Sequence, residues 1–363
     1  MDLEMLQRRA AIIKQVRSFF DGLNYLELDT PLLSGDLIPE SCLEVFQTER
    51  IFPRGSKKEN HPLWLIPSPE IWMKKIIAQH RVNVYQICKC FRNGESEGRL
   101  HNNEFLMLEY YTMDADYMDS LALTEELFNY LTTQNLTTPE WSDEPIRTER
   151  NIDIRGSRKG AKNAKDAKER EVIPNYYIPF ERITMAEAFK KWAGFDLFAV
   201  AAEGAGAMEK EAKRLGLNPM SDMTVPQLYD LIFIHSVEPQ LKMDKPVALI
   251  DYPAFVPCLA KKAANGQTVE RWELYYNGIE LINCFSEETD PKKVKDFFIS
   301  EEAEKKRNAV VQHNVNRDYW KLFETKIGYD FPRCSGAALG LDRLIMSLTG
   351  KADIDGVMPF KLV

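Results

Sequence analysis

Residues 83–92 read NVYQICKCFR and residues 105–113 read FLMLEYYTM. Both stretches are rich in aromatic and other β-compatible residues, and the polar segment between them turns the chain. They are predicted to form an antiparallel hairpin. Side chains alternate along a strand, so Gln86, Cys88, Cys90 and Arg92 share one face. On the partner strand Phe105, Met107, Glu109 and Tyr111 do the same. With both faces turned one way, a guanidinium, a ring, a carboxylate and a phenol converge. A guanidinium clamps a phosphate or carboxylate at two points, a ring stacks on a base, and a carboxylate holds an ammonium. Far downstream, residues 336–344 read GAALGLDRL. Its small residues allow close backbone approach, and a helix predicted to begin near Leu341 suits an anion at its start.

The 363 residues suffice for a large core. Hydrophobic content of 44% and charged content of 28% belong to an ordinary globular chain. The net charge of −8 argues against generic nucleic-acid binding, which needs a basic footprint. No apolar run reaches membrane-spanning length, and the start MDLEM lacks a signal-peptide pattern. Six scattered cysteines and five scattered histidines suggest a reducing cytoplasm and no zinc knuckle.

Leu6, Ala10, Ile13, Val16 and Phe20 recur at helical spacing, predicting a helix over 5–21, followed by a short strand over 25–28 that stops at Pro31. Residues 62–80 read as a strand, a Ser-Pro-Glu turn and a helix that opens on Glu70. Another helix is predicted over 118–137. Residues 140–172 are basic, small and polar, with little to bury, and are read as a flexible surface insert. Residues 182–240 are read as a helical insertion. Strands return from Val247, and Asn277-Gly278 marks a type I′ hairpin turn between residues 271–276 and 279–282.

These motifs resemble motifs 2 and 3 of the class II aminoacyl-tRNA synthetases, with motif 1 matched by residues 26–31, LELDTP. Ser68-Pro69-Glu70, the 107–111 run MLEYY and the 278–287 run GIELINCFSE resemble the lysyl subgroup. The resemblance covers about residues 5–350 outside the insert. It implies an α+β fold, an antiparallel sheet flanked by helices in a single catalytic domain over 1–363, with the 182–240 insertion between motifs 2 and 3. It also implies a homodimer joined through the first helix and strand, with ATP and Mg²⁺ as cofactors. Arg92 is the catalytic candidate for bridging the substrate carboxylate and the α-phosphate, and Arg343 for gripping the γ-phosphate. His101 would touch the distal phosphates, Phe105 stack on adenine, and Gly340 admit the nucleotide. Glu273 and Glu280 match the carboxylates that hold Mg²⁺ near ATP. For a substrate with two ammonium groups, Glu70 suits the one near the carboxylate, and Glu109, Tyr111 and Glu287 the distal one. Asn283 would orient the carboxylate, Phe285 wall the pocket and Ala338 shape its floor. Asn283, Phe285 and Glu287 share a parity that Glu280 does not, so a bulge or bend must intervene.

A lysyl-tRNA synthetase carries an oligonucleotide-binding barrel before its core, whereas here only a short helix precedes motif 1. The truncated architecture, with no N-terminal anticodon-binding barrel, is similar to the elongation factor P lysyltransferases of the GenX/PoxA family, which also have alanine where Ala338 stands. That resemblance implies activation of lysine or β-lysine and transfer to a lysine of elongation factor P, with tRNA and membranes not involved. The other readings are a stand-alone lysyl-tRNA synthetase-like enzyme and a catalytically silent paralogue acting as a binding module. The family usually has Phe-Arg-Asn-Glu, whereas this chain has Phe91-Arg92-Asn93-Gly94-Glu95, so either Glu95 takes the usual glutamate's role as a nucleotide contact or the loop that contacts the acceptor differs. Asn103 stands for a usual proline and Cys284 for a usual glycine.

Overall fold

The computed structural model describes residues 3–53, 61–94, 98–133, 179–324 and 330–360. Glu95 and the basic 140–172 insert lie outside them. Among the described residues the main sheet has eight strands. In chain order the strands are β1 (Leu26–Glu27), β2 (Leu33–Ser34), β3 (Gln47–Arg50), β4 (His61–Leu65), β5 (Val84–Phe91), β6 (Glu104–Met113), β7 (Glu181–Thr184), β8 (Val247–Ile250), β9 (Arg271–Tyr276), β10 (Ile279–Ser286) and β11 (Cys334–Gly340). The main sheet runs β1-β5-β6-β11-β10-β9-β8-β7, and β2-β4-β3 make a small second sheet. The six central strands are antiparallel, whereas β1 and β7 pair in parallel at the two edges. The 83–113 hairpin forms as the pattern predicts, with Gln86 opposite Glu109 and Cys88 opposite Met107. Arg92 sits one residue past the end of β5, its N–H bonded to the Asn103 carbonyl at 2.9 Å.

Alternation along β6 divides the molecule into layers. Leu108 and Tyr110 face a core made with α1 (Leu3–Gly22), α3 (Tyr117–Thr133) and α9 (Leu341–Leu348). There Phe20 stacks on Tyr85 at 5.0 Å, and Tyr110 shares a hydrogen bond with Thr124. Met107, Glu109 and Tyr111 face the other way, toward two cavities. That side is walled by α2 (Glu70–His80), a turn over Tyr319–Leu322, and α8 (Pro291–Asn308), packed through Ile71, Phe298 and Tyr319.

The 182–240 insertion begins differently from its sequence reading. Residues 181–184 form β7, held parallel to β8, before the chain turns helical at Met185. Backbone pairing at the sheet edge overrides the helical pattern there. From there α4 (Met185–Ala188), α5 (Leu197–Ala202), α6 (Ala205–Arg214) and α7 (Val225–Ile232) build a second core against Val247 and Leu249. Thr184 and Thr224 each close a capping box at a helix start. The 271–286 hairpin turns at Asn277 and Gly278, with φ of 52° and 74°, as a type I′ turn requires.

Candidate active site

Sheet register builds the site. One row across the strands runs Glu109, Ala338, Asn283, Glu273, and the row two residues on runs Tyr111, Gly336, Phe285, Arg271. Gly336 has a steric reason to be glycine. A Cβ there would stand 2.4 Å from the Tyr111 ring, so the missing side chain is the space that ring fills.

Two cavities of about 320 and 290 Å³ open on this floor. The first is lined by Arg92, His101, Phe105, Glu280, Gly340 and Arg343, among others. The second is lined by Glu70, Glu109, Tyr111, Phe285, Glu287 and Gly336, among others. Arg92, Met107, Asn283 and Ala338 line both. The Arg92 guanidinium lies 5.3 Å over the Phe105 ring, and its buried Nε has no hydrogen-bond partner among the described residues.

Arg343 is aimed by carbonyls. Its Nε donates to the Leu100 oxygen and its Nη1 to the Glu280 oxygen at 2.8 Å. The start of α9 is itself anchored. Asp342 forms a buried ion pair with Arg9 of α1 at 2.6 Å and accepts the Leu106 N–H at 2.7 Å.

Glu280 and Glu273 differ in placement. The half-buried Glu280 side chain lines the first cavity. Burial, then repulsion from Glu273, pushes its carboxyl up to about 7, against the pull of nearby arginines. Glu273 stands behind the lining, buried, with Arg271 on one oxygen and the Tyr252 and Tyr275 hydroxyls donating to the other. Glu273 Oε2 is filled by the two tyrosines and Oε1 keeps one lone pair, while Glu280 lines the first cavity; magnesium takes few carboxylates and completes its shell with phosphates and water, so the pair fits that ion.

In the second cavity Glu109 accepts from Ser68 and from Tyr111, both at 2.7 Å. Burial, then the charge of Glu70, raises its carboxyl to about 7. Burial likewise raises Glu287 to about 8, although Lys74 draws it down. One Glu287 oxygen is bonded to Lys74, and the other, Oε1, is buried without a partner among the described residues. At the rim, burial lifts Glu40 to about 7.

All the predicted site residues among the described ones meet here, Glu273 just behind the surface. Sequence reasoning missed three groups. Arg271 donates to Asn283 at 3.1 Å and lines the second cavity. Glu40 comes from a loop with no motif. Lys74 follows Glu70 by one helical turn, and that spacing was the available signal.

Comparison with known proteins follows this geometry. The family model "tRNA synthetases class II (D, K and N)" matches residues 3–362. A lysine--tRNA ligase of Pelotomaculum thermopropionicum is 32% identical over 99% of the chain, which spans 63% of that protein's length. An elongation factor P--(R)-beta-lysine ligase of Vibrio atlanticus is 31% identical over 99% of the chain and 95% of its own. A homolog of that ligase from Aquifex aeolicus is 32% identical over 97% of the chain and 98% of its own. The chain therefore belongs to the class II tRNA synthetases (D, K and N), a family of ATP-dependent ligases.

Proposed function

We propose that the chain activates lysine or (R)-β-lysine with ATP and transfers it to a lysine side chain of elongation factor P. The observation that carries this is Arg92, which lines both cavities and whose buried Nε has no hydrogen-bond partner among the described residues. One guanidinium at the junction can hold the amino acid's carboxylate and the α-phosphate together. A carboxylate oxygen then attacks the α-phosphorus, the bond to pyrophosphate breaks, and an aminoacyl adenylate forms. The acceptor amine later attacks the carbonyl carbon and AMP leaves. Alignment and charge neutralisation supply the rate. Phe105 stacks on the adenine, His101 and Arg343 take the distal phosphates, and Gly340 lets the nucleotide close on the backbone. Glu280, backed by Glu273, would hold Mg²⁺, which when bound neutralises the departing pyrophosphate. Glu70, Glu109, Tyr111 and Glu287 receive the two ammonium groups, Asn283 orients the carboxylate, and Phe285 and Ala338 shape wall and floor.

The acceptor rests on the names of the relatives that match this chain over nearly their whole length. We place the reaction in the cytoplasm. All six cysteines are free thiols, and no helix among the described residues is long and apolar enough to cross a membrane. A homodimer fits the exposed Leu23, Leu26, Leu32 and Leu33 beside the edge strand β1. Incubation with ATP and each lysine isomer, with elongation factor P or total tRNA as acceptor, tests the reading by mass spectrometry. A lysyl mass added to tRNA and not to the protein would overturn the acceptor.

A further inference from the structure

Lys74 is an ammonium already present among the groups assigned to the substrate's ammoniums. It has no solvent exposure, and its Nζ donates to Glu70 at 2.5 Å and to Glu287 at 2.6 Å. It also stands 5.9 Å from the centre of the Tyr111 ring and 5.8 Å from that of Phe285. Its titratable surroundings are Glu70 on its own helix, Glu109 and Tyr111 on β6, Cys334 on β11, Glu287 just past β10, and Tyr319. Burial works against its charge, but Glu287 and Glu70 outweigh burial and hold it protonated well above the usual lysine value.

The charge count is informative. With all three carboxyls ionised, as paired ammonium groups would hold them, Glu70, Glu109 and Glu287 carry three negative charges, and Lys74 cancels one. In that state two remain, facing a cavity where Glu287 Oε1 has no partner among the described residues. Uncompensated buried carboxylates are costly, and a ligand with two ammonium groups completes the balance. Glu40 also lines this cavity and feels Glu70, then Arg92 and Lys305, then Glu301; the two cations beside it set it apart from this count.

We propose that Lys74 is a positioning and specificity-determining residue, whose ammonium fixes Glu70 and Glu287 and trims the cavity's charge to match a substrate bearing two ammonium groups. This rests on the second cavity being the amino-acid site. Loss of Lys74 raises the proton affinity of Glu109 and Glu287, both of which it now lowers. A protonated carboxyl no longer pairs with an ammonium, so the loss should depend on pH.

The test is calorimetric titration with L-lysine, without ATP, across pH, for the wild type, Lys74→Met, and Lys74→Met combined with Glu287→Gln. Lys74→Met should weaken binding at about pH 7 by roughly thirtyfold or more. The acid limb of its affinity profile should move upward by about one unit, so affinity recovers at alkaline pH. The double variant restores two net negative charges and should return that limb toward its wild-type position. Where Lys74→Met does not fold, Lys74→Arg decides: it should keep the wild-type limb at reduced affinity. Unchanged affinity in Lys74→Met overturns the proposal, as does an equal loss at every pH, or a shifted limb in Lys74→Arg. Because binding is read without adenylation, absent pyrophosphate exchange in the wild type would remove the ligase reading and leave this test standing. Wild type that binds neither L-lysine nor, titrated in the same way, (R)-β-lysine overturns both.

Discussion

Glu280 and Asn283 lie three positions apart on β10, yet both line the first cavity. Strict alternation would send them to opposite faces. A register shift between Glu280 and Ile282 adds the residue that brings them together. One strand thus presents Glu280 to the first cavity, Asn283 to both and Phe285 to the second.

Arg92→Ala should abolish lysine-dependent ATP–pyrophosphate exchange with the fold intact by circular dichroism, because one group aligns both reactants. Arg92→Lys should not restore it, since an ammonium lacks the two-pronged geometry. Near-normal exchange in either variant would show that the junction between the cavities is not where the reactants meet.

Gly336→Ala should damage the amino-acid site more than the nucleotide site. The added methyl has 2.4 Å to the Tyr111 ring, and Tyr111 holds Glu109 in place. Overpacking of this kind costs about 1–3 kcal/mol of stability. The KM for lysine should rise while that for ATP stays near the wild-type value. A larger change for ATP would contradict the division of the cavities.

Arg9→Met should act at a distance. It leaves Asp342 as an uncompensated buried charge at the start of the helix that carries Arg343. Removing one partner of a buried pair costs about 3–5 kcal/mol. Denaturant unfolding should show that loss, and the KM for ATP should rise because Arg343 loses its footing. Unchanged stability would mean that water reaches the pair.

The hairpin of motif 2 was legible because its strands alternate and its turn is polar. The bulge was legible too, since Glu280 and Asn283 could not otherwise serve one site. What stayed hidden came from chain segments that meet only in three dimensions. Glu40 reaches the cavity from an irregular loop, and Arg9 finds Asp342 across 333 positions. Lys74 looked like one more helix-surface lysine, and only its burial against Glu287 distinguishes it. Residues 182–184 read as helix because their pattern runs into a true helix, and only pairing with β8 makes them part of a strand. The parallel edges of the sheet were likewise set by pairing and not by local pattern.

Ala338→Gly should shift preference toward α-lysine over β-lysine. Ala338 lies between Glu109 and Asn283 in the floor and lines both cavities. One methyl changes discrimination by about tenfold to a few hundredfold. Comparing specificity constants for the two isomers checks it, and an unchanged or reversed ratio would remove Ala338 as a selector.

Stability without ligand should fall as pH rises. Burial lifts Glu40, Glu109 and Glu280 to about 7 and Glu287 to about 8, so the folded chain keeps protons that the unfolded chain releases near 4.5. The folded state then binds more protons than the unfolded one, and these groups make the slope of unfolding free energy with pH negative between about 4.5 and 8. The melting temperature should be lower at about pH 8.5 than at about pH 6, and lysine should stabilise more at the higher pH. A higher melting temperature at pH 8.5 in the ligand-free protein would contradict this.

The most direct test of the central claim is pyrophosphate exchange with the purified protein, Mg²⁺, ATP and each lysine isomer, with no tRNA and no protein acceptor. The account predicts lysine-dependent incorporation of labelled pyrophosphate into ATP with at least one isomer. Absence of exchange with both, in a folded sample that binds ATP, would contradict it.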